Sequence, residues 1–332
     1  MNSFGRLFRV SIFGESHGKM IGVVIDGCPA GIPLSVDDLT QDLLRRKPGK
    51  KGTTLRRETD KPEISSGVFN EKTTGAPIIV HFSNKDTVAK DYEKVLEIPR
   101  PGHADFVASK KFGGFNDYTG GGHFSGRITI GLVAAGVIAK KIIPSIEISA
   151  ELIEAAGNIN IDEAIVQAIA NQDSIGGIVE CTARNMPIGL GEPFFDSVES
   201  LISHIVFSIP AIKGIEFGSG FEATLSVGSN NNDPIIDVSG KTSSNNAGGI
   251  NGGISNGNEL IFSVAVKPTS SIGKIQKSIN IKTGQLEEFI TKGRHDACIA
   301  LRIPVIIEAA TAIVLADLSL IDQRQKQIMK HS

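Results

Sequence analysis

The sequence predicts an α+β fold, with antiparallel strands set against helices and one helix buried in the middle of the core. Three observations carry this reading. Residues 7–14, LFRVSIFG, alternate as a strand, and a second strand-like run, IGVVIDG at 21–27, follows almost at once. Residues 128–143, ITIGLVAAGVIAKKII, are apolar nearly all round and rich in small side chains, the pattern of a helix with no solvent face. Two later runs, GIEFGSGFEATLSVG (214–228) and ELIFSVAVKP (259–268), read as strands of an antiparallel sheet.

The remaining elements follow in chain order. Ser35 with Asp38 three residues later forms a capping box for a helix over 36–47, whose Leu39 and Leu43 share one face. Further helices are predicted at 161–171, 197–208, 284–292 and 304–318, the last opening with Pro304 at a position that suits N1. An internal echo links GVVIDGCPAGIPL (22–34) to GGIVECTARNMPIGL (176–190), each an aliphatic strand leading through a Pro and Gly turn to a Leu. An ancient duplication would leave such an echo, and so would coincidence.

Composition bounds the function. A chain of 332 residues, 40% hydrophobic and 21% charged, can bury a substantial core. No linker divides it, so 1–320 reads as one catalytic domain and 321–332 as a flexible C-terminal tail. The N-terminus carries two arginines among its apolar residues and has no uninterrupted apolar segment, which argues against a signal peptide. The apolar run at 130–139 is too short to span a bilayer. A cytoplasmic protein without a membrane partner is the expectation. Three scattered cysteines, Cys28, Cys181 and Cys298, propose neither a zinc ribbon nor a disulfide framework. A net charge of −2 and few aromatics argue against nucleic acid as a partner, although RRKPGKKGTTLRR (45–57) concentrates seven cations. That run suits a solvated loop or an arm that folds over a polyanion.

The stretch Gly14–Gly18, GESHG, matches G-x-S-x-G, the nucleophile elbow of serine hydrolases. The elbow needs a strand, a sharp turn and then a helix. Here an aliphatic strand follows the turn, and an α/β-hydrolase would need a β3 loop before residue 16 to supply the oxyanion donors, for which there is no room. The hydrolase reading fails on context. His17 has company in other glycine-flanked settings, His103 in RPGHAD, His123 in GGGHFSGR and His295 in GRHD. Several imidazoles, arginines and glycine turns suit proton transfer on a phosphorylated substrate. A zinc site is the rival use, but no H-x-x-x-H or H-E-x-x-H pair is present, and no metal is expected.

Eleven blocks together make a specific resemblance. FGESHG, VIDGCPAGIPL, LLRRKPG, SGVF, TTGAPI, RPGHADF, GGGHFSGR, SIPAIKGIEFGSGF, GGINGGISNG, VAVKPTSSI and GRHDAC run in order, and the chain they define resembles the chorismate synthase family from about residue 4 to 318. The resemblance implies a β-α-β sandwich, with helices between two antiparallel sheets, assembled as a homotetramer. It implies a lyase that converts 5-enolpyruvylshikimate 3-phosphate to chorismate by 1,4-anti elimination of phosphate, the last common step of aromatic amino acid biosynthesis in the shikimate pathway. The family requires reduced FMN although nothing is oxidised overall, and NADPH serves only as a source of reducing equivalents. Because relatives that reduce their own flavin tend to be longer, this compact chain is expected to depend on an external flavin reductase.

Carried over residue by residue, the resemblance makes His17 the acid near the departing phosphate, with Ser16 beside it. It sets His103 facing flavin N1, where an imidazolium would stabilise the reduced anion, and Asp296 near flavin N5. Lys267, Pro268, Thr269, Ser270 and Ser271 resemble the flavin phosphate loop, Ala211 and Gly252 close-approach flavin positions, and Arg294 a flavin contact. Arg46 and Arg127 resemble anion contacts for the substrate, with Arg45 and Arg56 or Arg57 as additions. Two departures stand out: His123 and Phe124 occupy positions where many relatives have arginine and serine, with Ser125 retained as a flavin contact, and Gly52 stands where some relatives carry an arginine. A phosphorylated-ligand or RNA-binding protein without catalysis is the alternative.

Overall fold

Alternating apolar residues at the start of the chain build one sheet, and a second set builds its partner. The computed structural model describes residues 2–54, 59–84, 95–291 and 295–330, with side chains to residue 323. Strands β1 (Ser3–Phe4), β2 (Arg9–Gly14), β3 (Met20–Asp26), β4 (Glu63–Ser66) and β5 (Ile78–Ser83) form a five-stranded sheet in the order β1-β2-β3-β5-β4, antiparallel throughout. Val10 pairs with Ile25, Val23 with Val80 and Ile21 with Phe82. All six are buried on one face, as the two-residue period of a half-buried strand requires.

The second sheet comprises β6 (Glu147–Ala155), β7 (Gly177–Arg184), β8 (Ile212–Phe217) and β9 (Leu260–Val266), in the order β8-β9-β7-β6. Its buried face carries Val179, Cys181, Phe262 and Val264. Two long helices fill the space between the sheets: α3 (Ile130–Ile142) against β3, and the C-terminal helix α6 (Pro304–Lys330) against β6 and β7. The two pack on each other where a Cβ added to Gly136 would fall 2.3 Å from that of Ala309. Each fully buried aliphatic side chain in this layer contributes about 1.5–3 kcal/mol. The segments Thr119–Ile142 and Pro304–Gln323 have the length and hydropathy of membrane spans, but 78% of each apolar window is buried in the fold. They are core helices. The layering is the expected β-α-β sandwich.

Helix α1 (Val36–Arg46) starts at the expected capping box, with the Ser35 amide donating to Asp38 at 2.7 Å. Helices α4 (Ile161–Ala170) and α5 (Val198–Val206) also lie where periodicity set them. Both echo fragments are strand-to-turn units feeding a helix, β3 into α1 and β7 into α5. Asp317 of α6 is buried and accepts the backbone N–H groups of Arg6, Leu7 and Phe8 at 2.7–2.9 Å, which fastens the start of the chain to the central layer. Cys28 and Cys181 are buried thiols, pushed up to about 11 and about 12 by desolvation, so they are protonated at neutral pH.

Three expectations need correction. The helix expected over 284–292 does not form in its described residues: Leu286–Phe289 pairs antiparallel with Gln276–Ile279. Leu286, Phe289 and Ile290 carry a helical spacing, but Gly284 at φ +73° closes a tight turn in which the Asn280 amide donates to the Gln285 carbonyl. That turn fixes a hairpin. The strand in 214–228 ends at Phe217, because Gly218 and Gly220 take positive φ and the chain turns into a 3-10 segment, Gly220–Leu225. Helix α6 runs to Lys330, well past residue 318 and into the stretch read as a tail.

Candidate functional site

The turn after β2 and a triple-glycine turn later in the chain are knitted together. Gly14 leaves β2 at φ +94°, and the Gly18 amide donates to the Glu15 carbonyl, closing the turn that carries Ser16 and His17. The Asn84 side-chain amide donates to both the Glu15 and Gly18 carbonyls from outside. The second turn, Thr119–Phe124, has Gly120, Gly121 and Gly122 at φ 59°, 81° and 53°, conformations that disfavour any Cβ. The buried Ser16 donates its amide to the Gly122 carbonyl at 3.1 Å.

Glycine is required at this turn for a second reason. A Cβ on Gly120 would lie 2.0 Å from the His17 ring and 3.0 Å from Ser16 Oγ, while one on Gly121 would lie 3.4 Å from the His103 ring. The turn therefore separates the two imidazoles by little more than its own backbone. His17 and His103, 86 positions apart in the chain, meet neighbouring glycines.

His103 is oriented by a carboxylate. Its Nδ1 donates to Asp105 Oδ1 at 2.6 Å, and Arg100 grips the same carboxylate with two nitrogens at 2.8 Å. Burial opposes ionisation of Asp105, but the hydrogen bonds from Arg100 and His103 and their charges outweigh it and hold the carboxyl well below the usual range. Arg100 also donates to Ser271 Oγ at 3.1 Å, which joins this cluster to the 267–271 loop.

A cavity of about 630 Å³ opens beside the turn. His103, His123, Phe124, Ser125, Ala211 and the whole of Lys267–Ser271 line it, so ten of the expected site residues converge on one space. Ala211, at φ +79°, brings its backbone into the wall and accepts the Lys267 amide. Lys267 donates to the Gly102 carbonyl at 3.1 Å and to Ser270 Oγ at 2.8 Å; burial and the neighbouring charge of Lys213 lower its affinity for a proton. Thr269 Oγ1 is buried and has no hydrogen-bond partner among the described residues.

The other expected residues lie behind or away from this wall. Gly120 lines the cavity between it and His17. Arg127 pairs with buried Asp60 at 2.7 Å and donates to Asn84 at 2.8 Å. Arg46 is buried and donates to Thr129 Oγ1 and to the Gly126 and Arg127 carbonyls. Burial lowers the Arg46 guanidinium to about 9, with Arg302 and Arg127 adding repulsion and Asp60 and Asp296 opposing it, so it is cationic at neutral pH. Asp296 accepts from the Thr54 amide at 2.9 Å and from Arg302 at 3.4 Å. Three arginines face two carboxylates here, a surplus of positive charge suited to an anion.

Arg45 lies elsewhere. Both its terminal nitrogens donate to the buried Glu308, at 2.6 and 2.7 Å, in a cluster with Asp42 and Lys140 that joins α1, α3 and α6. Gly252 lies in the short hairpin formed by Ile250–Asn251 and Ile254–Ser255, and no atom comes within 4 Å of a Cβ added there. Arg56, Arg57 and Arg294 fall outside the described residues. Sequence reasoning missed Arg100 and Asp105, although both stand in the quoted RPGHADF and its flank. It also missed Asp60, Asn84, Lys213 and Arg302, for which no local signal exists. Among the described residues no group of three or more His, Cys, Asp or Glu side chains is arranged to hold a metal ion.

The chorismate synthase family model matches residues 8–320. A chorismate synthase from Chitinophaga pinensis is 62% identical over 332 residues, covering all of both chains. One from Dehalococcoides mccartyi is 47% identical over 351 aligned positions, covering 96% of each chain, and one from Methanocaldococcus jannaschii is 42% identical with the same coverage. A crystal structure of a chorismate synthase superposes with a TM-score of 0.74 at 27% identity, covering 98% of each chain.

Proposed function

The chain belongs to the chorismate synthase family, and from that premise we propose that it eliminates phosphate from 5-enolpyruvylshikimate 3-phosphate in a 1,4-anti sense, giving chorismate, with reduced FMN held in the cavity beside the triple-glycine turn. The observation that carries the reading is the meeting of His17 and His103 on that turn, next to a wall made by Lys267–Ser271.

The residues fit a flavin phosphate. The buried, unpartnered Thr269 Oγ1 offers a hydroxyl, Lys267 and Lys213 supply charge, and Ser270 and Ser271 add donors. Reduced FMN, when bound, would supply an electron-rich ring that lends charge while the allylic C–O bond breaks, and a base for the ring proton lost together with the phosphate. The protein does the rest. His17, fixed against Gly120, gives its proton to the departing phosphate oxygen. His103 holds a proton on Nδ1 against Asp105, has Arg100 3.2 Å from its Nε2, and lines the cavity in which the reduced ring would sit. Asp296, held by the Thr54 amide and Arg302, would be the carboxylate that helps deprotonate the flavin. Arg46 and Arg127 neutralise the substrate's carboxylates and phosphate, and Ser16 orders the turn. Arg45, taken up by Glu308, has no part in this proposal.

Flavin binding tests the assignment of the loop. Lys267→Met is expected to weaken FMN binding in the presence of substrate about tenfold or more, followed by the change in flavin absorbance, because a charge-assisted contact to phosphate contributes about 1.5–3 kcal/mol. An unchanged affinity would remove Lys267 from the site. The chain is further proposed to lack flavin reductase activity and to take FMN reduced by a separate reductase, with NADPH acting only through it. Bound FMN should remain oxidised under anaerobic NADPH over many turnover times; reduction at catalytic speed contradicts this. A homotetramer working in the cytoplasm completes the proposal. Exposed Phe194, Phe195, Phe221 and Leu225, each at least 79% accessible in the single chain, give it an apolar surface for assembly.

A further inference from the structure

His123 closes the cavity wall between β1 and the triple-glycine turn, and both of its ring nitrogens are engaged by protein. Nδ1 lies 2.8 Å from the carbonyl oxygen of Gly14. A carbonyl only accepts, so Nδ1 carries a proton, and the tautomer is fixed by geometry. Nε2 lies 3.2 Å from Oδ1 of Asn2, beside Ser3 and Phe4 in the same wall; the two ends of an Asn amide exchange by a flip, and with the amide turned its NH2 donates to the unprotonated Nε2.

Gly14 is the last residue of β2 and the first of the turn that presents Ser16 and His17. It is joined to the glycine turn twice, by the Ser16 amide on the Gly122 carbonyl and by His123 on its own carbonyl. The two hydrogen bonds run in opposite directions between adjacent backbone segments, so together they fix translation as well as separation. We propose that His123 is a positioning residue: its Nδ1–H holds the Gly14 carbonyl, keeps the His17 turn in register with Gly120, and through Nε2 ties the first residues of the chain into the same wall. The catalytic consequence rests on the function proposed above; the positioning itself does not. Misplacing a reacting group by about 1 Å costs as much as 10²-fold in rate, and Gly120 leaves His17 little free space.

Three substitutions separate the role of Nδ1 from that of a ligand contact. In His123→Asn the amide nitrogen falls near the place of Nδ1 and can donate to Gly14; in His123→Gln it falls near Nε2 and cannot; His123→Ala removes both. Hydrogen exchange is measured on the ligand-free protein at the amides of residues 15–18, two of which are hydrogen-bonded in the turn. Exchange is expected to rise about tenfold in the Ala and Gln variants and to stay near wild type in Asn, as local opening of one loop requires. Phosphate release should fall about tenfold in kcat with little change in KM in Ala and Gln, and recover in Asn. Wild-type exchange in His123→Ala, or equal loss in all three variants, overturns the proposal. Should the Ala variant fail to fold, imidazole 15N shifts of the wild-type protein decide: a protonated Nδ1 supports the clamp, and a neutral ring with its proton on Nε2 overturns it. If the wild-type protein releases no phosphate, the functional reading fails while the exchange result stands or falls separately.

Discussion

Replacing His17 by alanine is expected to lower turnover about 10²-fold or more while leaving the fold intact, the effect of removing a positioned acid. The sharper form of the test is Gly120→Ala, which removes no ionisable group. Its Cβ would occupy space 2.0 Å from the His17 ring, and the ring must swing away. A left-handed alanine costs about 1–2 kcal/mol of backbone strain, which the whole domain tolerates. Turnover in Gly120→Ala should therefore approach that of His17→Ala, and combining the two should add little, since the second change acts on a group already lost. Near-normal turnover in either single variant, with an unchanged melting temperature, would remove His17 from the chemistry. Additive losses in the double variant would show that Gly120 acts on something else.

The second large effect concerns His103. His103→Ala should also lower turnover about 10²-fold or more. Asp105→Asn should cost about tenfold, because the side chain still accepts from Nδ1 but the negative charge that holds Arg100 and His103 together is gone. This pair has a pH signature. Asp105 is held below its unfolded value of about 3.9 by Arg100 and His103, so the stability it adds is fully present above that value and lost as pH falls through the lower, folded one. The stability difference between wild type and Asp105→Asn should accordingly shrink as pH falls below about 4. A difference that grows on acidification would contradict the ion pair, and unchanged turnover in His103→Ala would remove that histidine's role.

Local signals were legible in the sequence, and distant packing was not. The Ser35–Asp38 capping box and the apolar all-round helix α3 each depend on residues close in the chain, so spacing alone reveals them, whereas the Lys267–Ser271 loop was legible only through the family resemblance. The meeting of His17 with Gly120, by contrast, needs a turn between β2 and β3 to dock on one that follows the sheet's last strand, 103 positions away in the chain. The glycines advertise the docking only as three positions without side chains. Asp105 was visible in RPGHAD but unassigned, since nothing in the spacing says that Arg100 and His103 converge on one carboxylate. Arg127–Asp60 and Arg302–Asp296 join segments that only the sandwich brings together. Residues 284–292 show the opposite failure: an i, i+3, i+4 pattern that a glycine turn overrules in favour of a hairpin.

Anaerobic phosphate release from 5-enolpyruvylshikimate 3-phosphate, with and without dithionite-reduced FMN, tests the central claim most directly. Multiple turnovers with the reduced flavin, and none with oxidised FMN or with dithionite alone, are the expected result. Release that proceeds equally without flavin, or no release when reduced flavin and substrate are both saturating, would contradict it.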